Sequence, residues 1–225
     1  MTKNRHARIL SVALVGLAVA GAWGQDLDTL IKGAGDADAK VRQPAGEKLV
    51  EIGAPAVGPL VKLIATADTP IANAAKVTLC DLTVRAGKPE ANRRAAVSKA
   101  LADAYGASTD VEMRKFLARL LGYVGGDEAV DVLATALTDE AFREPARRAL
   151  LANPSPAAGK VLRDWLTKAD PAFRVGIIDA LGARRDAAAV PALILCALST
   201  VFLLRIREPR ASLKAGFAGG GKVKK

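Results

Sequence analysis

Five times along the chain an aspartate stands three residues before an apolar residue, and a leucine follows eight residues later. The aspartates are Asp38, Asp68, Asp110, Asp139 and Asp170, the apolar residues Val41, Ile71, Met113, Phe142 and Phe173, and the leucines Leu49, Leu79, Leu121, Leu150 and Leu181. The aspartates recur at a nearly constant interval, with one longer step from Asp68 to Asp110. Such a period predicts a stack of repeated helical units, in which each unit covers the apolar face of its neighbour.

Unit one displays the pattern most fully. Asp38 can accept from the free amides of a first helical turn, which makes it an N-cap. Val41, Ala45, Leu49 and Ile52 then fall on one helical face. Pro44 lies inside that helix and predicts a kink, and Pro145 repeats it in unit four. Gly53-Ala54-Pro55 ends the helix. A second helix follows, with Val57, Leu60, Val61 and Ile64 facing inward. Before the first unit, Asp26–Lys32 forms a short amphipathic helix that caps the stack. Unit two is irregular. The stretch from its repeat leucine to its second-helix anchor, Leu79 to Val97, is about twice as long as its counterpart in other units.

The segment VRQPAGEKLVEIGAPAVGPLVKLI (Val41–Ile64) resembles a HEAT repeat of the short bacterial type also seen in phycobilin lyases. MRKFLARLLGYVGGDEAVDVLATAL (Met113–Leu137) and FRVGIIDALGARRDAAAVPALI (Phe173–Ile194) repeat it. FREPARRALLANPSPAAGKVL (Phe142–Leu162) is recognisable but lacks the glycine and has a proline-rich turn. The resemblance implies an all-α fold, a right-handed α-α superhelix of about five helical hairpins with an N-terminal capping helix. The expected organisation is a signal peptide at 1–24 and a repeat domain at 25–195. Units lie near 38–67, 68–109, 110–138, 139–169 and 170–195, and an apolar helix end with a basic disordered tail occupies 196–225. HEAT repeats define an architecture and not an activity.

Composition changes this picture in two places. The net charge of +10 invites a nucleic-acid reading, but it resides at the ends. With residues before Ile9 and after Leu204 set aside, basic and acidic residues nearly balance, so no specific nucleic-acid partner is expected. The N-terminus has the three-part layout of an export signal. Basic Met1–Arg8 precedes the apolar run Ile9–Ala22, and Ala22-Trp23-Gly24 offers small residues for cleavage before Gln25. The alternative is an uncleaved anchor. Export places the protein in the periplasm or cell envelope, where disulfides are permitted. Cys80 and Cys196 nevertheless fall in non-adjacent units within apolar helical patterns, which predicts buried free thiols.

The run Ala187–Leu204 carries no charge, and a basic, glycine-rich tail follows it. Three readings stay open. The run closes the stack as a helix with an exposed apolar end, able to dimerise through Leu198, Val201 and Phe202. It anchors in a membrane, which needs about 20 apolar residues. Or the chain departs from its natural reading after about Ile194. The first is expected, with Val190, Leu193 and Ile194 covering Ile177 and Leu181.

No catalytic centre is evident. The sole histidine, His6, lies in the export signal, which removes Ser-His-Asp, Cys-His and histidine-ligated metal chemistry from the mature chain. Gly122–Gly126 and Gly219–Gly221 do not follow strands and read as a helix stop and a flexible tail. No cofactor is expected. The expectation is a non-catalytic exported scaffold for protein–protein interaction; the alternatives are a bilin or tetrapyrrole lyase-type protein and a membrane-anchored scaffold. Candidate partner-binding residues are of two kinds. Lys62, Lys99, Thr135, Lys160 and Arg163 lie on second helices, which by the resemblance line the concave side. Arg85, Lys88, Arg93 and Arg94 lie in the unit-two insertion, which either contacts a partner or is a solvated basic loop. Arg42, Arg114, Arg143 and Arg174 follow the apolar anchors and form either an Asp–Arg ladder between units or an anion-binding stripe. Trp165 is core or a peptide-binding aromatic. Intact-mass measurement of exported protein should show the loss of residues 1–24 and a mature chain starting at Gln25; a product retaining His6 overturns the secretory reading.

Overall fold

A computed structural model describes residues 26–88 and 92–207, with the side chains of 199–207 outside that description. The export signal, the basic tail, and the side chains of Val201 and Phe202 lie outside the described residues. Among the described residues the protein is 82% helical, with eleven helices and no strand. Helix α1 spans 26–34. It is followed by α2 (Ala39–Ile52), α3 (Ala54–Thr66), α4 (Thr69–Ala86), α5 (Arg94–Ala107), α6 (Val111–Val124) and α7 (Val130–Ala136). Then come α8 (Arg143–Ala152), α9 (Pro156–Lys168), α10 (Pro171–Ala183) and α11 (Val190–Arg207). Single 3-10 turns at Asp127–Ala129 and Ala187–Ala189 lead into α7 and α11. The chain divides into two compact units, Met1–Ala158 and Gly159–Lys225.

In the first unit the helices alternate between two layers. Helix α2 packs on α4, α4 on α6 and α6 on α8, while α3 packs on α5 and α5 on α7. Helices α2 to α5 each touch both the next helix and the helix two places on, a packing consistent with a helical solenoid. The spacing of apolar residues explains the arrangement. Leu49, Leu79, Leu121, Leu150 and Leu181 are all fully buried or within 1% of it. Small residues let the first-layer helices approach. A Cβ on Gly122 of α6 would stand 2.9 Å from Ala149 Cα of α8, and one on Gly46 of α2 would stand 3.0 Å from Thr78 Oγ1 of α4. Helix α1 extends past the expected Lys32 to Ala34 and buries Leu30 and Ala34.

Four of the five repeat aspartates turn their carboxylates onto nearby amides. Asp38 accepts from Lys40 N–H at 2.9 Å, Asp110 from Met113 N–H at 2.6 Å and Asp170 from Ala172 and Phe173 N–H, both at 3.0 Å. Asp139 accepts from Ala141 N–H at 2.9 Å, but there the aspartate begins a turn and α8 starts only at Arg143. Pro145 thus sits in the first turn, where its missing N–H costs nothing, so the expected kink does not arise. Asp68 makes no side-chain cap; Pro70 opens α4 instead. Helix α2 continues through Pro44 without interruption.

A left-handed backbone recurs four residues after the repeat leucine. Gly53 takes φ 80°, Gly125 φ 62° and Arg185 φ 53°. Glycine tolerates that region, whereas a residue with a Cβ is strained there. In unit five the sequence glycine, Gly182, lies inside α10, so Arg185 takes the strained place. Unit four solves the turn with Asn153, which is fully buried. Its amide oxygen accepts from Gly126 N–H at 3.2 Å and Ser155 N–H at 2.8 Å, and its nitrogen donates to Gly126 O at 2.9 Å. That exchange ties the turn after α8 to the turn after α6. In unit two no turn occurs at the equivalent Thr83, and α4 runs on to Ala86.

Three inward assignments are corrected. Val41 is 45% exposed, because the inward face of α2 is carried by Ala45, Gly46, Leu49 and Val50. In the second unit, Val190 and Ile194 are 49% and 54% exposed, and Leu193 is half-buried. Ile177 and Leu181 are buried all the same, as is Ala189 in the turn before α11. Cys80 and Cys196 form no disulfide, as expected, but both are half-buried. No helix among the described residues is long and apolar enough to cross a membrane.

The register yields a direct stability test. Leu121→Ala should lower the unfolding free energy by roughly 2–5 kcal/mol in a urea titration. Arg185→Gly should raise it by about 1 kcal/mol, since glycine relieves the left-handed strain. A Leu121→Ala change near zero would show the repeat register to be misplaced.

Candidate functional site

Helices α3, α4, α5 and α6 line an open cleft of about 840 Å³. That volume is within the range of ligand-binding clefts. Its floor is apolar. Val61 and Ile64 come from α3, Ala104 from α5, and Met113 and Phe116 from α6. Ser108 and Thr109 of the α5–α6 turn add hydroxyls. Three cations line it: Lys62 on α3, Lys76 on α4 and Arg119 on α6. Each follows directly from the packing of its helix. Lys62 adjoins half-buried Val61, Lys76 follows buried Ala75, and Arg119 lies between buried Ala118 and Leu120. All three are exposed. Two carboxylates also line the cleft, and both are engaged. Asp110 caps α6 through Met113 N–H, and Glu112 pairs with Lys115 at 2.9 Å. Among the described residues no carboxylate pairs with Lys62, Lys76 or Arg119. Arg119 lies 5.9 Å from the Phe116 ring centroid. It also bears on Cys80, whose thiol pKa is raised by burial and by Asp81 while Arg119 opposes the rise.

A second cleft, of about 570 Å³, is lined by Val50, Glu51, Leu82, Arg85, Lys88 and Arg93 among others. It gathers three of the four candidates of the unit-two insertion, but they do different jobs. The guanidinium of Arg93 donates to the carbonyls of Val50, at 3.5 Å, and Glu51, in the last turn of α2. Arg94 donates to the carbonyl of Gly87, just past α4. Both satisfy carbonyls that a helix C-terminus leaves without intrahelical partners, and both complement its dipole. Arg85, in the last turn of α4, and Lys88 remain exposed in this cleft.

The second-helix candidates differ in what each one touches. Lys62 lines the large cleft, whereas Lys99 pairs with Asp103 at 3.1 Å one turn along α5. Thr135 donates to Asp131 O at 3.0 Å on α7. In the second unit Lys160 pairs with Asp164 at 2.9 Å, which lowers the aspartate's pKa, and Arg163 pairs with Asp186. The Arg163–Asp186 contact is largely shielded from solvent and joins α9 to the turn before α11. Trp165 meets Phe173 edge to face, with centroids 6.2 Å apart. It is half-buried and packs on that ring in the geometry aromatic pairs prefer.

The repeat arginines also have local partners. Arg42 donates to Asp36 O at 2.7 Å and Ala37 O at 3.2 Å; Arg174 donates to Ala169 O at 2.7 Å. Arg143 pairs with Glu140 at 3.5 Å. Arg114 lies between two rings, 4.7 Å from the Tyr105 centroid and 4.0 Å from that of Phe142. Its buried Nε has no hydrogen-bond partner, and the two ring faces stabilise the guanidinium instead. These positions are structural supports. Lys76, Arg119 and Phe116 were not among the sequence candidates. They are not part of the five-fold pattern, and the packing of α3 through α6 brings them together.

Among the described residues no group of three or more histidine, cysteine or carboxylate side chains is placed to hold a metal. No family model matches the chain, and no curated protein matches it. Among solved structures, an engineered protein is similar at 24% identity, covering 83% of this chain and 91% of that one with a TM-score of 0.40.

One ion cluster predicts an acid response. Glu144 bonds Arg147 at 2.7 and 2.8 Å and Arg148 at 2.9 Å, and these bonds, chiefly that of Arg147, lower its pKa from 4.5 to about 2. A lowered folded-state pKa means that this stabilisation is present above pH 4.5 and is lost as pH falls toward about 2. Urea midpoints measured across that window should fall less steeply for Glu144→Gln than for the parent protein. Equal slopes would show that the cluster contributes nothing to acid stability.

Proposed function

We propose that this protein is an exported, non-catalytic scaffold that binds a protein partner in the cell envelope. Its architecture, on this reading, is five HEAT-like helical hairpins behind a capping helix, wound as a right-handed superhelix. The observation that carries the binding role is the large cleft between α3 and α6, where Lys62, Lys76 and Arg119 lack carboxylate partners above an apolar floor. Charges that serve only the fold are paired or set on carbonyls, as Arg93, Arg94 and Arg163 are. Unpaired cations grouped beside a partly covered apolar floor are instead suited to a partner.

Affinity-tagged protein, purified from the envelope fraction of its source cells and passed over a sizing column, should elute with a partner chain at fixed stoichiometry. Elution as the isolated chain in every extract, under mild salt and mild detergent, would remove the scaffold role.

A further inference from the structure

Resting on that reading, we infer that the cleft between α3 and α6 receives an acidic peptide segment carrying at least one large apolar side chain. The charge pattern selects an anion. Lys62, Lys76 and Arg119 approach the cleft from three different helices, while Asp110 and Glu112 are already committed to Met113 N–H and Lys115. A basic ligand would meet three unpaired cations, and a neutral one would leave them unanswered. The floor selects an apolar group. Met113 and Ile64 are nearly covered already, and with Val61 and Phe116 they form a surface that gains by excluding water.

A peptide fits this surface better than a small amphiphile. The cleft is open to solvent and extends across four helices, so a long acyl chain would remain partly wetted. The Ser108 and Thr109 hydroxyls stand beside the apolar floor, where they can bond a peptide backbone. An extended segment can place carboxylates toward Lys62, Lys76 and Arg119 on one side and an apolar side chain toward Phe116 on the other, because successive side chains alternate in direction.

The test uses the full exported chain and three fluorescein-labelled peptides of equal length. The first alternates glutamate with leucine, the second replaces leucine by serine, and the third replaces glutamate by lysine. Fluorescence anisotropy should show binding of the first alone, weakened by added salt. The charge-reversal variant Lys62→Glu/Lys76→Glu/Arg119→Glu should lose about tenfold or more in affinity. Its far-ultraviolet circular dichroism should match the parent's. Should the triple variant misfold, Lys62→Glu and Lys76→Glu singly provide the same reading, since both side chains are exposed. A tail variant, Lys222→Ser/Lys224→Ser/Lys225→Ser, should bind as the parent does.

Binding that survives charge reversal, or that vanishes with the tail substitutions, overturns the assignment. Equal binding of the glutamate–serine peptide removes the apolar half of the argument and overturns it as well. Oleate that binds where no peptide does would overturn it too, and assign the cleft to a small amphiphile. If a co-purified partner chain persists with Lys62→Glu/Lys76→Glu while no peptide binds, the cleft assignment falls and the scaffold role stands.

Discussion

Burial of one leucine per unit is the constraint on which the structure depends. A hairpin of two short helices cannot cover its own apolar stripe, and helices of this length are marginal alone in water. The stripe is covered only when another helix lies against it. In the first unit that helix is the one two places along the chain, so α2, α4, α6 and α8 form a row and α3, α5 and α7 a second. Leu49, Leu79, Leu121 and Leu150 lie at full burial along the first row. Gly46 and Gly122 act on the same contact by removing the Cβ that would hold neighbouring helices apart. Unit two accommodates its extra residues without breaking this row, because they lengthen α4 beyond Leu79 and leave the leucine in place.

The leucine register was legible in the sequence because burial of that kind leaves a periodic trace. Capping aspartates left one too, and four of five bond nearby amides. The turns were less legible. A left-handed residue is expected to be glycine, and Gly53 and Gly125 obey, but Arg185 takes the same conformation with an unfavourable side chain. In unit four a buried asparagine replaces the glycine by bonding another turn, a long-range solution with no local signature. The apolar run of α11 misled for another reason. Hydrophobic composition indicates what could be buried, whereas burial requires a surface to meet it, and Val190, Ile194, Leu195 and Leu198 remain exposed.

The candidate site was legible only in part because its members are not part of the five-fold pattern. Lys62 was visible as a polar position on a second helix. Lys76 and Arg119 lie on first helices, whose outward faces the pattern treats as plain surface. A cleft arises where four helices meet with unequal side chains, and that inequality is invisible to an argument built on what the units share.

Why most arginines turned out structural, while the lysines of the clefts stayed free, has a chemical basis. A guanidinium presents five donors in a planar fork and sheds water more readily than an ammonium, so it suits buried carbonyls, carboxylates and ring faces. Arg42, Arg93, Arg94 and Arg174 meet backbone carbonyls, Arg147 and Arg163 meet carboxylates, and Arg114 meets two rings. Once bound in this way, each is a poor candidate for a partner, since recruiting it would strip a helix end or a core contact of its support. Lysine holds its water more tightly and bonds in no fixed geometry, so it tends to remain at the surface. Lys62, Lys76 and Lys88 are exposed in this way. Arg119 departs from the rule: it is exposed, its ring contact is distant, and no carboxylate among the described residues pairs with it. Its place beside Lys62 and Lys76 therefore owes little to what the fold requires.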